Sequence, residues 1–262
     1  LLTLLKYHFK AKVPLLCGLL LGIVSLQILM LLGLRIWKVP FASMQVSWNL
    51  FFALVLWVVA MCILFIVSYK LYRENITNYY KCLLPVKDTS FILAPLLFWF
   101  ICSSVTATYF IGSIYVYSLF YNFDDLNGME KGIIESMMLD NYFAVMVSHV
   151  EALVVSCAYL LLLFFAYTAI KLVIKGKKFR ACMMAIIFIV FVALDFFVAN
   201  WVLNICPAIM LEEKTVVYEV SQEKIVETVS YGFNFAHFFI VINLCIVLIY
   251  STAYLLKVRK DI

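Results

Sequence analysis

Apolar residues in this chain fall into six long unbroken runs separated by short polar segments. The runs are Val13–Leu34, Trp48–Tyr69, Phe91–Phe120, Tyr142–Ile170, Ala181–Ile205 and Phe235–Leu256, each of at least 22 residues. About 20 residues of α-helix cross a hydrocarbon core roughly 30 Å thick, so every run is long enough to span. Four of the six contain no Asp, Glu, Lys or Arg. A transmembrane barrel would instead show segments of about ten residues alternating between apolar and polar positions. The pattern predicts an all-α integral membrane protein with six transmembrane helices, organised as one transmembrane domain over residues 1–262. Runs three and four are longer than a span needs and are expected to tilt, break or project into an interface.

Composition removes the water-soluble alternative. Apolar residues make up 66% of the chain and charged residues only 13%, with a mean hydropathy of +1.07. A soluble domain carries about 25% charged residues to wet its surface. Fifteen of the 20 Lys and Arg lie in four segments: before run one, between runs two and three, between runs four and five, and after run six. Positive loops stay on the inner side, so both termini are expected in the cytoplasm and the chain in the cell membrane. The net charge of +5 is therefore a topology signal, and no nucleic-acid partner is expected. The start of the chain does not read as a cleavable signal peptide. The eight Cys form no CxxC and no metal-ligand pairing with His, and they read as small apolar residues.

Three polar or amphipathic segments organise the rest. Residues 1–12 place Leu1, Leu2, Leu5 and Phe9 opposite Thr3, Lys6 and Lys10, which predicts a short helix lying on the inner membrane surface. Residues 70–84 are too polar at their start to be embedded. They predict a cytoplasmic helix whose Tyr72, Ile76, Tyr79, Tyr80 and Leu83 form an exposed aromatic face, with Pro85 ending this helix or opening the next. Residues 207–232 are the longest outer segment, and their many valines predict folding back on the outer surface, as helix or as hairpin. Ile133, Ile134, Met137 and Met138 form a possible interfacial patch in the loop after run three. Gly18 and Gly22 make a GxxxG that would let another helix approach closely.

This arrangement resembles the permease subunit of type-2 ABC transporters, the ABCG-like bacterial exporters. Leu4-Leu5-Lys6-Tyr7-His8-Phe9-Lys10 is similar to the opening Leu-Leu-Lys-Tyr-Glu-Phe of bacterial members. Tyr72-Arg73-Glu74 followed by Leu83-Leu84-Pro85-Val86 is similar to their coupling segment. The chain departs from the pattern at His8, where the family has Glu, and at Asn75 and Asn78, where it often has glycine. The resemblance implies a subunit that is not itself an enzyme and binds no cofactor. ATP and Mg are then bound by a separate cytoplasmic P-loop ATPase, and a second permease copy or paralogue completes the pathway. It also implies that the coupling segment meets the ATPase, with Arg73 and Glu74 offering ion pairs and Tyr79 a packing anchor. The absence of a GxxxxGK[ST] loop in the sequence agrees with this expectation.

Polar residues inside the runs are the remaining candidates. Asp195 lies 14 residues from the inner end of run five, roughly 21 Å at helical rise. A charged Asp at such depth costs about 2.5–3.5 kcal/mol and should face protein or a watery cavity. Asn200 and Asn204 follow in the same run, Glu151 lies in the outer part of run four, and His237 opens run six. Two readings stand. Asp195, Asn200, Asn204, Glu151 and His237 line a path for a cationic or amphiphilic substrate (a peptide, drug or lipid-like compound), or they make hydrogen bonds between helices, with Asp195 in the alternative held protonated by its apolar site. The rival functions are a secondary transporter or channel driven by an ion gradient, and a sensor or anchor subunit that transports nothing. No Ser/His/Asp arrangement shares a depth.

Overall fold

The computed structural model describes residues 1–36, 42–77, 87–120, 142–174, 176–206, 209–220 and 223–261. Six helices among them are long and apolar enough to cross a membrane. They are α1 (Leu2–Ile36), α2 (Ala42–Thr77), α3 (Asp88–Phe120), α4 (Tyr142–Val173), α5 (Lys177–Ile205) and α6 (Phe235–Asp261). Each contains one apolar run. Hydrocarbon offers backbone N–H and C=O groups no water, and a helix satisfies them within one segment. Hydroxyls follow the same rule: Thr106, Thr168 and Thr252 each donate to the carbonyl four residues earlier in their own helix.

The helices form two groups of three. α1 and α2 pack on α3, α5 and α6 pack on α4, and α3 and α4 join the groups at the centre. Burial follows this order, with 56% of the most apolar stretch of α3 and of α4 buried but none of α5. Gly18 and Gly22 lie outside these contacts. A Cβ at either would meet nothing within 4 Å, so among the described residues no helix uses the GxxxG for close approach.

Two expected boundaries differ. Residues 1–12 are not a separate element but the first turns of α1, which runs unbroken through Pro14. No breaker precedes that proline, and a proline's missing N–H is tolerated in a membrane helix. Leu4 and His8, one turn apart, are buried, while Leu1 and Leu2 are exposed, so the inward face is offset from the one expected. Likewise α2 continues to Thr77, and residues 70–77 are its last two turns. Tyr72 and Ile76 are buried there with Leu71 and Asn75, rather than exposed as expected, because these four positions form one stripe facing the bundle. Residues 78–84 of that segment, including Tyr79, lie outside the described residues, as does the patch at Ile133–Met138.

The C-terminal end of α2 is fixed by polar contacts to three helices. The Tyr72 ring stacks on Phe164 of α4, with centroids 4.0 Å apart and planes 12° from parallel. Its hydroxyl lies 2.6 Å from Thr168 Oγ1. Thr168 donates its single proton to the Phe164 carbonyl, so Tyr72 is the donor between them. Asn75 Oδ1 accepts from His8 Nε2 of α1 at 3.1 Å, and Asn75 Nδ2 donates to the Phe91 carbonyl of α3 at 3.5 Å. All of this is buried. At mid-bundle, Tyr109 of α3 donates to Gln27 of α1.

The segment between α5 and α6 is a hairpin of β1 (Ile209–Val220) and β2 (Glu223–Phe233), paired antiparallel from Ile209↔Phe233 to Val220↔Glu223. Its register shifts between Met210 and Glu212. β-Branched residues are frequent in both strands, which favours the extended backbone over a helix.

Because Tyr72 is the only donor to Thr168 among these contacts, Tyr72→Phe and Thr168→Val should each lower stability by about 1 kcal/mol, and the double variant by no more than either. Tyr72→Ala, which also empties the stack on Phe164, should cost about 3 kcal/mol. Thermal unfolding in detergent measures the series, and additive losses in the double variant would mean that the two hydroxyls act independently.

Candidate functional site

The best-defined polar cluster lies where α4, α5 and α6 meet near the hairpin, and it begins with the capping of α6. Asn234 precedes the helix, and its Oδ1 accepts from the His237 backbone N–H at 3.0 Å. This is a helix N-cap, and it satisfies a donor the helix itself leaves unpaired. Asn234 Nδ2 donates to the Cys206 carbonyl at 3.0 Å, tying the start of α6 to the end of α5 across the base of the hairpin. Phe233, just outside the cap, packs on Phe238 with centroids 5.2 Å apart, the apolar staple that fixes the angle at which a chain enters a helix.

The cap sets His237 in the first turn of α6, where its ring lies between two carboxylates. Nδ1 is 3.7 Å from Glu151 Oε1 on α4, and Nε2 is 3.6 Å from Asp195 Oδ1 on α5. Both are ion-pair distances, longer than a hydrogen bond. The other Asp195 oxygen, Oδ2, accepts from the Tyr159 hydroxyl of α4 at 2.6 Å. The Tyr159 ring stands edge-on to Phe188 and Phe191 of α5. Side-chain exposure is 12% for His237, 17% for Asp195 and 23% for Glu151, so the charges are held mostly away from water. Two carboxylates and an imidazole from three helices can hold or exchange a proton, or attract a cation.

Three of the expected lining residues are thus brought together: Glu151, Asp195 and His237. Asn200 and Asn204 do not join them. Both are exposed on α5, and Asn200 turns its amide back to the Phe196 carbonyl of its own helix. Arg73 and Glu74 are exposed at the end of α2, far along the chain from this cluster. Tyr159 was not legible as a member, since one tyrosine among 16 carries no mark of its partner. Its spacing of eight residues from Glu151, about two turns on one helix face, was the available signal. Among the described residues, no three or more His, Cys, Asp or Glu are placed to hold a metal ion.

Asp195→Asn keeps an acceptor for the Tyr159 hydroxyl, whereas Asp195→Leu leaves that hydroxyl without its partner. The Leu variant should therefore unfold at lower temperature, by an equivalent of about 1–3 kcal/mol. Adding Tyr159→Phe to Asp195→Leu should recover part of the loss, because both halves of the pair are then apolar. Equal melting of all three variants would show that the bond contributes nothing. Compared with known proteins, the chain matches no protein-family model, no curated protein sequence and no solved structure.

Proposed function

We propose that this chain is the permease subunit of an ATP-driven type-2 ABC exporter, ABCG-like in architecture. It sits in the cell membrane with both termini in the cytoplasm, pairs with a second permease copy or a paralogue, and is energised by a separate P-loop ATPase. The observation that carries this reading is the two-faced end of α2. Leu71, Tyr72, Asn75 and Ile76 are buried, with Tyr72 bonded to α4 and Asn75 to α1 and α3, while Arg73 and Glu74 on the opposite face are exposed. A charged pair on a helix end locked into three neighbours is suited to receive a push. Closure of an ATPase against Arg73 and Glu74 would move α2 and the helices bonded to it as one body. The concentration of Lys and Arg in the segments on that side and the similarity of the opening and coupling motifs support the same assignment.

The substrate on this reading is amphiphilic, a peptide, drug or lipid-like compound, with a preference for positive charge. Glu151 and Asp195 supply the acidic groups and the surrounding spans an apolar path. The same cluster supports a second reading, transport driven by an ion gradient, since a proton on His237 would change the charge between three helices. That reading predicts flux without an ATPase.

Co-purification in gentle detergent separates the two. Tagged chain drawn from its native membrane should bring a P-loop ATPase in stoichiometric amount, identified by mass spectrometry, and Arg73→Ala with Glu74→Ala should weaken or abolish it. Retention of the ATPase by the variant would remove those two contacts and leave the class standing. Absence of an ATPase from a complex shown to survive the detergent would favour ion-driven transport.

A further inference from the structure

An apolar groove of about 300 Å³ opens on the bundle surface between α2, α4 and α5, and neither reading of function uses it. Phe65, Tyr69, Leu163, Met184, Ala185 and Phe188 line it. Its outer edge is open, with Ile66 and Ala185 exposed where the bilayer runs along the spans. The three helices touch at one level beside it. The Tyr69 hydroxyl donates to Met184 Sδ at 3.4 Å, and the Tyr69 ring stands edge-on to Tyr167 at 6.0 Å.

One helical turn from each of these three contact residues stands a cation. Arg73 follows Tyr69 by four positions, Lys171 follows Tyr167 by four, and Arg180 precedes Met184 by four. Positions four apart share a helix face. Helix α5 runs back against α2 and α4, so all three steps lead towards the same end of the bundle, the end that holds both termini. Lys171 Nζ lies 5.7 Å from the centre of the Tyr167 ring. Hydrocarbon-lined space, open to the acyl layer and rimmed at one end by three basic side chains, matches a ligand with an apolar chain and an anionic head.

We propose that this groove is a binding site for one anionic phospholipid of the leaflet on the side of the termini. An acyl chain lies along Phe65, Leu163 and Phe188, and the phosphate sits by Lys171 and Arg180. Arginine suits a phosphate through its planar pair of donors, and lysine supplies a point charge. Basic pockets between spans on the inner side are the physical setting in which headgroup charge adds to chain packing. Arg73 stands at the rim, but the site does not depend on it, so the proposal is independent of the coupling contact.

The test titrates detergent-purified full-length chain with phosphatidylglycerol and, separately, phosphatidylcholine of the same acyl chains, counting bound lipid by native mass spectrometry. Phosphatidylglycerol should bind about tenfold more tightly. Lys171→Gln with Arg180→Gln should erase that preference and leave phosphatidylcholine binding unchanged. Ala185→Phe, which fills the groove from its exposed edge, should weaken both lipids. Lys6→Gln with Lys257→Gln removes two exposed charges elsewhere on the same end and should change nothing. Equal binding of the two lipids, a preference that survives Lys171→Gln with Arg180→Gln, or an equal loss in the Lys6 and Lys257 control would each overturn the site. So would full binding by Ala185→Phe. Melting temperatures within a few degrees of the parent chain guard against a variant that has merely failed to fold.

Discussion

The contact of Tyr72 with Phe164 and Thr168 is the joint on which the arrangement of the bundle depends. It is where the first three helices meet the last three, at the end of the bundle that holds both termini. Lipid tails are as apolar as the helices, so apolar surface alone gives little preference for one helix neighbour over another. A stacked ring and a single donated proton do discriminate, since only one rotation of α2 brings Tyr72 onto Phe164. Interhelical hydrogen bonds in membranes average only about 0.6 kcal/mol, so the joint relies on the ring packing as much as on the bond. Asn75 extends it to α1 and α3 by accepting from His8 and donating to Phe91. His8 and Asn75 lie 67 positions apart in the chain, so this one bond ties the start of α1 to the end of α2.

That joint gives the end of α2 two faces with different work to do. The buried face fixes the helix to its neighbours, and the opposite face leaves Arg73 and Glu74 exposed. At the other end of the bundle a comparable economy holds His237. Asn234 caps α6 and ties it to the end of α5 in the same stroke, and Phe233 staples the entry of the chain. The imidazole then comes to lie between Glu151 and Asp195 as a consequence of where the helix begins. The hairpin matters here because it returns the chain from α5 to α6 with its two ends together.

The membrane class, six helical spans and the approximate limits of each were legible because hydrocarbon imposes one demand on every residue it contacts. A run of some two dozen apolar residues without charge has few other fates. The choice of Glu151, Asp195 and His237 as candidates was legible for the converse reason, that an ionisable group in such a run must find a partner. Asn200 and Asn204 are polar but not ionisable and do not join the cluster; Asn200 satisfies its amide on its own helix backbone. The amphipathic stretch at residues 70–77 was legible as a helix, but its apolar face turned inward to the bundle instead of outward to the cytoplasm.

By itself, then, the sequence determined what is repeated many times along it: the apolar runs, the bias of Lys and Arg to one side, and the few charges inside. Each is a sum over many residues and tolerates error in any one. Only the tertiary structure decided which helices touch, that Tyr159 completes the Asp195 site, that His8 meets Asn75 and that the segment between α5 and α6 is a hairpin. Those outcomes depend on the rotation of each helix about its axis, where a turn of about 100° per residue moves a side chain from lipid to core. Rotation is set by contacts between residues such as Tyr72 and Thr168, 96 positions apart, and no local pattern encodes so distant a partner.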